Sequence, residues 1–177
     1  MSDLDARALE AFARYLTNLA DDARLLGRAV ADEAIDPASR APLAGALNYL
    51  FKSLDLIDDG IEALGYLDDA LILRAAVGLA REHGPLPESL AGLSGDVPLV
   101  EEFLGDLSPR FDTYVRGLAE SEVRGRTAET ILTDAAVREE FLGEVTGWAQ
   151  RYEPPTFLGE AKNLVKLKAF LSAKLPA

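Results

Sequence analysis

The sequence is poor in the side chains from which many active centres are built. Its 177 residues include no cysteine, one histidine, one tryptophan and five lysines. The lack of cysteine excludes disulfides, thiolate nucleophiles and thiolate metal sites, and a single histidine excludes zinc sites built from several histidines. His83 lies in the last turn of a predicted helix, where the helix dipole favours a cation, so we interpret it as structural.

Positive charge is also scarce. The net charge is −12, which works against binding of nucleic acid or anionic lipid, because phosphate binding depends on clustered lysine and arginine. Four lysines and one acid, Glu160, lie in the last 22 residues, so this tail carries +3 and the rest −15. We expect a protein partner or self-association and no nucleic acid. Any membrane contact would be peripheral, through the basic amphipathic segment 157–175.

Long hydrophobic runs are missing as well. The longest apolar stretches, "APLAGALNYLF" and "ALILRAAVGLA", are too short to cross a bilayer, so we predict no transmembrane segment. The first residues, "MSDLDARALEAF", are acidic and amphipathic, unlike a signal peptide. We therefore expect a cytoplasmic protein. The chain has no P-loop, dinucleotide fingerprint or nucleophile elbow, and we assign no catalytic residue.

What the sequence does contain is helical periodicity. Apolar residues recur at spacings of three and four, and alternation typical of strands is not sustained anywhere. The pattern predicts an all-α, single-domain bundle of about six to eight helices over residues 1–177. The predicted helices are a first from about 3 to 34, a second from Leu43 to Leu64, a buried central one from about 67 to 83, and others near 97–106, 109–123, 127–151 and 157–174.

The C-terminal half, residues 97–177, carries one internal echo. The segment "EEFLGDLS" at 101–108 returns as "EEFLGEVT" at 139–146, 38 residues later. This interval fits a two-helix unit and predicts a candidate 38-residue repeat.

The most unusual segment is acidic. Residues 53–73, "SLDLIDDGIEALGYLDDALIL", contain six carboxylates and no basic side chain. Residues 43–80 resemble the YkvA-like family of bacterial domains of unknown function, whose hallmark runs roughly D-L-I-P-D-F-I-P-x-L-G-Y-L-D-D. The matching positions are Asp55-Leu56-Ile57, Asp59 and the hexapeptide from Leu64 to Asp69. The resemblance implies a helix-turn-helix core and brings no established activity with it.

The departures from that hallmark lead to a prediction about the backbone. Where the family has proline, this chain has Ser53, Asp58 and Glu62. Since proline breaks helices, its absence predicts that the second helix runs on towards Leu64. On such a helix Asp55, Asp59 and Glu62 share one face.

Two interpretations of these acids stay open, beside a partner-facing acidic patch. In the first, Asp55, Asp59, Glu62 and Asp68 bind Mg²⁺, Mn²⁺ or Ca²⁺, which prefer oxygen ligands. The neighbours Asp68 and Asp69 would point in different directions, so at most one joins the site. In the second, Gly65, Asp68 and Asp69 form a structural turn whose acids satisfy the free N–H groups of the central helix, and no cofactor is bound.

The functional hypotheses follow from these interpretations. The leading one is a non-catalytic helical interaction or scaffold module, and the alternative is a divalent-cation-binding sensor or metal-dependent enzyme. Two contacts are also predicted. Asp55 would cap a neighbouring backbone or pair with an arginine such as Arg74. Lys168 of the basic tail would approach the acidic turn or stay unpaired and reach solvent.

Overall fold

The computed structural model describes residues 1–61, 64–157 and 159–177, and it confirms an all-α, single-domain bundle. No strand is present in this part of the chain. The α-helices are α1 (Asp3–Ala31), α2 (Pro37–Tyr49), α3 (Leu67–Arg81), α4 (Ala91–Leu104), α5 (Ser108–Gly117), α6 (Ala128–Thr133), α7 (Ala135–Arg151) and α8 (Ala161–Lys174). Short 3-10 turns cover Glu88–Leu90, Gly105–Leu107 and Leu118–Glu120.

Helix α1 is closed at both ends by side chains. Ser2 and Asp5 form a reciprocal capping box at its start. At its other end the buried guanidinium of Arg40 donates two hydrogen bonds, of 2.9 and 2.6 Å, to the carbonyl of Val30. This satisfies an acceptor that helix termini leave free. The apolar residues whose spacing of three and four predicted the first helix are buried along the whole length of α1.

The centre of the bundle is α3, which packs most extensively on α2. Its residues from Leu67 to Leu73 are all buried, so the prediction of a buried central helix is confirmed. The acidic segment lies between α2 and α3, at one end of this pair.

The predicted extent of the second helix is wrong. Helix α2 ends at Tyr49, and the described part of residues 50–66 forms turns. Ile57 and Leu64 of the predicted series are nevertheless buried, as is Leu56 outside it, whereas Leu54 is mostly exposed. Burial in this segment therefore follows the folded loop and not one helix face. Asp55 and Asp59 are therefore brought together by the loop fold and not by helical periodicity.

The two copies of the sequence echo have different conformations. The first is interrupted at Gly105, whose φ of 53° ends α4, whereas the second lies inside α7. The echo does not extend to local structure, and duplication stays a prediction.

The C-terminal helix does not reach the acidic turn. Helix α8 buries Leu164, Leu167 and Leu171, and Lys168 Nζ lies 4.7 Å from the ring centroid of Phe103 on α4. The prediction that Lys168 approaches the acids is thus wrong, because the apolar face of α8 docks elsewhere. None of the helices in the described ranges has both the length and the apolar character needed to cross a bilayer.

Arg74 pairs with acidic side chains inside the bundle. Its side chain, 2% exposed, donates to Asp22 at 2.9 Å and to Asp96 at 3.0 Å, and it lies 3.6 Å from the centroid of the Tyr15 ring. Burial raises the pKa of Asp22, and Arg74 opposes that rise. The predicted pairing of Asp55 with Arg74 is therefore wrong, since Arg74 is engaged on the other side of α3.

Replacing Arg74 by methionine should destabilise the protein by about 3–5 kcal/mol, because Asp22 would be left buried without a counter-charge. Urea unfolding measures the change. The control Arg14→Met removes a half-exposed partner of Asp96 and should cost about 1 kcal/mol or less. Equal costs for the two variants would contradict this account, and adding Asp22→Asn to Arg74→Met should recover part of the loss.

Candidate cation site

Tyr49 and Asp68 fasten the loop after α2 to the start of α3. The Tyr49 hydroxyl donates to Asp68 Oδ2 at 2.5 Å and accepts from the backbone N–H of Leu56 at 2.6 Å. The same Asp68 oxygen accepts from the N–H of Ile57 at 3.2 Å. Burial and the nearby carboxylate of Asp68 raise the pKa of Tyr49, which keeps its hydroxyl a donor. One oxygen of Asp68 therefore holds the loop in place.

Gly65 and Tyr66 bring Asp59 back to the helix start. A Cβ atom at Gly65 would lie 2.4 Å from the carbonyl oxygen of Asp59, so only glycine permits this approach. Tyr66 has φ 68°, a left-handed conformation that is strained for a bulky residue. Its ring is held edge-on by Tyr152 and Trp148, with centroids 5.1 and 6.3 Å away.

Three carboxylates converge as a result. Asp59, Asp68 and Asp69 each offer an oxygen, and these oxygens lie within 4.8 Å of one another. Asp68 and Asp69 are 0% and 3% exposed, whereas Asp59 is exposed, so the cluster opens to solvent beside Asp59. Asp55 is half-buried and close enough to interact electrostatically with Asp59 and Asp68.

Three of these acids each have one carboxylate oxygen without a hydrogen-bond partner. Oδ1 of Asp55, Oδ1 of Asp68 and Oδ2 of Asp69 are buried without a hydrogen bond. In the part of the chain that the structure describes, none of the four acids forms an ion pair. Burial, with mutual repulsion, raises the pKa of Asp55 to about 7 and that of Asp59 to about 6. Burial also raises the pKa of Asp68, and burial and Asp68 together raise that of Asp69 well above its usual range.

The cluster differs from the predicted one in membership. Asp59 and Asp68 are in it, and Asp55 lies beside it. Glu62 lies outside the described residues. Asp69, assigned by sequence to the structural turn, also converges, so the expectation that at most one of Asp68 and Asp69 could join is wrong. Both do lie in the first turn of α3, where the folded-back loop meets the helix end.

Comparison with known proteins finds a family match for one segment and not for the whole chain. Residues 39–74 match the family described as "Protein of unknown function (DUF1232)". The match includes Asp55, Asp59, Asp68 and Asp69, and it confirms a resemblance confined to a segment. No curated protein and no solved structure matches the chain.

The raised pKa values predict how the free energy of unfolding varies with pH when a chelator keeps divalent cations from the protein. An acid whose pKa is higher in the folded protein than its ordinary 3.8 stabilises the folded state most at pH values below 3.8. That stabilisation is lost as the pH rises through the pKa of the folded protein. The free energy of unfolding should therefore fall from about pH 5 to about pH 8, by up to about 1.4 kcal/mol per pH unit for each proton released. Acids with lowered pKa, such as Glu82 and Glu144, titrate below this window.

Urea unfolding at several pH values tests this expectation. Asp69→Asn should flatten the dependence and stabilise the protein at the alkaline end by about 1–3 kcal/mol, because a buried charge is removed at nearly constant shape. Stability that rises with pH across this window would contradict the burial of uncompensated carboxylates.

Gly65→Ala should destabilise the protein by about 1–3 kcal/mol, since the new methyl group would collide with the backbone of Asp59. Thermal unfolding measures the change. The control Gly92→Ala places its methyl group in open space on α4 and should be neutral or stabilising by up to about 1 kcal/mol. A Gly65→Ala variant as stable as the Gly92→Ala variant would show that the close approach is not needed.

Proposed function

We propose that the protein binds a divalent cation through Asp59, Asp68 and Asp69, with Asp55 as a neighbouring acid that tightens or completes the site. The observation that carries the proposal is the burial of Asp68 and Asp69 with oxygen atoms that have no hydrogen-bond partner. Such atoms are costly, and native proteins normally satisfy them with a hydrogen bond, an ion pair or a metal.

The chemistry of the donors favours a hard cation. All of them are carboxylate oxygens, which suit Mg²⁺, Mn²⁺ and Ca²⁺. His83 is exposed at the far end of α3 and would take no part. The two carboxylate oxygens of Asp68 differ in their hydrogen bonds, and this difference also supports binding of an ion. Oδ2 is used by Tyr49 and Ile57, which fixes the side chain and leaves Oδ1 free for an ion.

The acids elsewhere in the core provide an internal comparison. Asp22 is also buried, and it is neutralised by Arg74 at 2.9 Å. At Asp68 and Asp69 the corresponding counter-charge would come from the ion. A cation that bound there would displace the protons that these acids retain because their pKa values are raised.

A role in protein interaction, the leading hypothesis from the sequence, stays a prediction. It is supported by two large apolar side chains that are mostly exposed, Leu54 at 80% and Val165 at 70%. Leu54 precedes Asp55 in the same loop, so a partner that covered this loop would meet the ion site as well. Peripheral membrane contact through 157–175 and cytoplasmic location likewise stay predictions.

Thermal unfolding with millimolar Mg²⁺, Mn²⁺ or Ca²⁺ tests the proposal. An ion at about one hundred times its dissociation constant should stabilise the protein by about 2.7 kcal/mol, or roughly 5–10 °C for a chain of this size. Asp69→Asn should abolish this shift.

The matched control is Asp58→Asn. Asp58 is an exposed acid of the same loop, and its Oδ1 accepts the Gly60 N–H at 2.8 Å, a role that asparagine preserves. This variant should keep the full ion-dependent shift. The proposal is rejected when none of the three ions stabilises the wild-type protein, or when Asp69→Asn and Asp58→Asn respond alike.

A further inference from the structure

A groove adjoins the acid cluster at its solvent-facing side. It has a volume of about 510 Å³ and runs between the end of α2, the turn at residues 123–126 and one face of α7. Asp59 lines it, so the groove and the candidate cation site share a wall. Volumes of about 300–1,000 Å³ are usual for small-molecule sites.

Two arginines face this groove. Arg151 is exposed, and no side chain in the described ranges forms an ion pair with it. Its guanidinium folds back over Gly147, where a Cβ atom would lie 3.1 Å from Nη1. The missing side chain at Gly147 is what lets Arg151 lie along the groove instead of extending into solvent.

The second arginine, Arg124, is held in a strained conformation. Its φ is 53°, and the following Gly125 has φ 76°, at the tip of a turn closed by hydrogen bonds between Val123 and Arg126. A left-handed conformation is costly for arginine, and such strain is typical of functional positions. Arg124 donates to Glu144 at 2.9 Å, a half-exposed pair that fixes its direction and contributes little to stability.

The remaining walls are aromatic and acidic. Trp148 lines the groove, stacked on Tyr152 at 5.1 Å and edge-on to Tyr66 at 6.3 Å. Glu140 and Asp59 also line it and oppose an anion, whereas Glu144 is paired with Arg124 and Arg126. A divalent ion held by Asp59, Asp68 and Asp69 would offset most of the charge of its ligands and could accept further oxygen ligands. Mg²⁺ in particular is commonly shared between one or two carboxylates and the phosphates of a substrate.

We propose that this groove binds a small molecule carrying a phosphoryl group, whose oxygens complete the coordination of the cation and accept hydrogen bonds from Arg151 and Arg124. This inference rests on the cation site proposed above. Arginine forks match phosphate oxygens, and the Trp148 face accommodates an apolar or planar remainder of the ligand. Binding of the phosphoryl group is expected to require the cation, since its oxygens would be ligands of the ion and since Asp59 and Glu140 otherwise repel it.

Phenyl phosphate is the probe, and the fluorescence of Trp148 is the readout, because it is the only tryptophan of the chain. With saturating Mg²⁺ or Mn²⁺, we expect a saturable change in fluorescence that is lost in EDTA. Arg151→Gln should weaken binding at least about tenfold while keeping the ion-dependent thermal shift. The matched control is Arg24→Gln, which changes a half-buried arginine on α1 that pairs with Asp21 and does not line the groove, and it should bind like wild type.

A second variant separates recognition from folding. Arg124→Asn puts a residue that tolerates positive φ at the strained position, so the unfolding temperature should be unchanged or raised while phenyl phosphate binds less tightly. Vesicles of phosphatidylcholine with or without phosphatidic acid identify the source of the phosphoryl group. Ion-dependent binding to the phosphatidic acid vesicles that is weakened by Arg151→Gln would assign the phosphoryl group to a lipid headgroup. Binding of phenyl phosphate without binding to these vesicles would assign it to a soluble ligand.

The two proposals fail in different ways. An ion-dependent thermal shift without saturable binding of either probe overturns the phosphoryl site and leaves the cation site standing. Equal affinities of wild type, Arg151→Gln and Arg124→Asn for phenyl phosphate would likewise overturn the phosphoryl site and leave the cation site standing. Binding that persists in EDTA overturns the ion-bridged arrangement. The absence of any ion-dependent shift overturns the cation site itself.

Discussion

The burial of Asp68 and Asp69 side by side at the start of α3, with no cationic side chain of the described residues paired to them, is the constraint on which the acidic region depends. A first-turn carboxylate is normally exposed and gains a fraction of a kcal/mol from the helix dipole. Here both side chains are buried, and the loop after α2 hydrogen-bonds to Asp68 through the N–H of Ile57. The hydrogen bonds of Tyr49 to Asp68 and Leu56, and the contact of Gly65 with Asp59, hold that loop in place. The loop thus fixes the charges close together, and their burial removes the water that would otherwise stabilise them.

The helical class could be predicted because it rests on periodicity over long segments, as in α1. The loop could not, because the spacing of Leu54, Ile57, Ile61 and Leu64 suits a helix face and a folded loop equally well. The family resemblance was the better guide. Its prolines are missing here, yet the helix still ends at Tyr49. The Tyr49 hydroxyl donates to Asp68 and accepts from the N–H of Leu56, and these bonds hold the chain after the helix against the start of α3.

The site was predicted in part for a related reason. Asp55, Asp59 and Glu62 were predicted to share one face of the second helix, with Asp68 joining them from the central helix. Helix α2 ends at Tyr49, so the folded loop, and not a helix face, brings Asp59 to Asp68. Asp69 was missed because the direction of two adjacent side chains depends on what covers the helix end. Tyr66 and Arg124 gave no signal in sequence. They are the non-glycine residues with positive φ in the described chain, and neither belongs to the types that usually adopt it.

The core contains two solutions to the same electrostatic problem. At Asp22 the counter-charge is Arg74, a permanent part of the chain that also packs on Tyr15. At Asp68 and Asp69 no arginine of the described residues forms an ion pair, although Arg124 and Arg151 line the adjoining groove. The cation proposed for this cluster would supply there the counter-charge that Arg74 supplies at Asp22. Because the cluster opens to solvent beside Asp59, such a cation could dissociate, and a ligand in the groove could add oxygen atoms to its coordination.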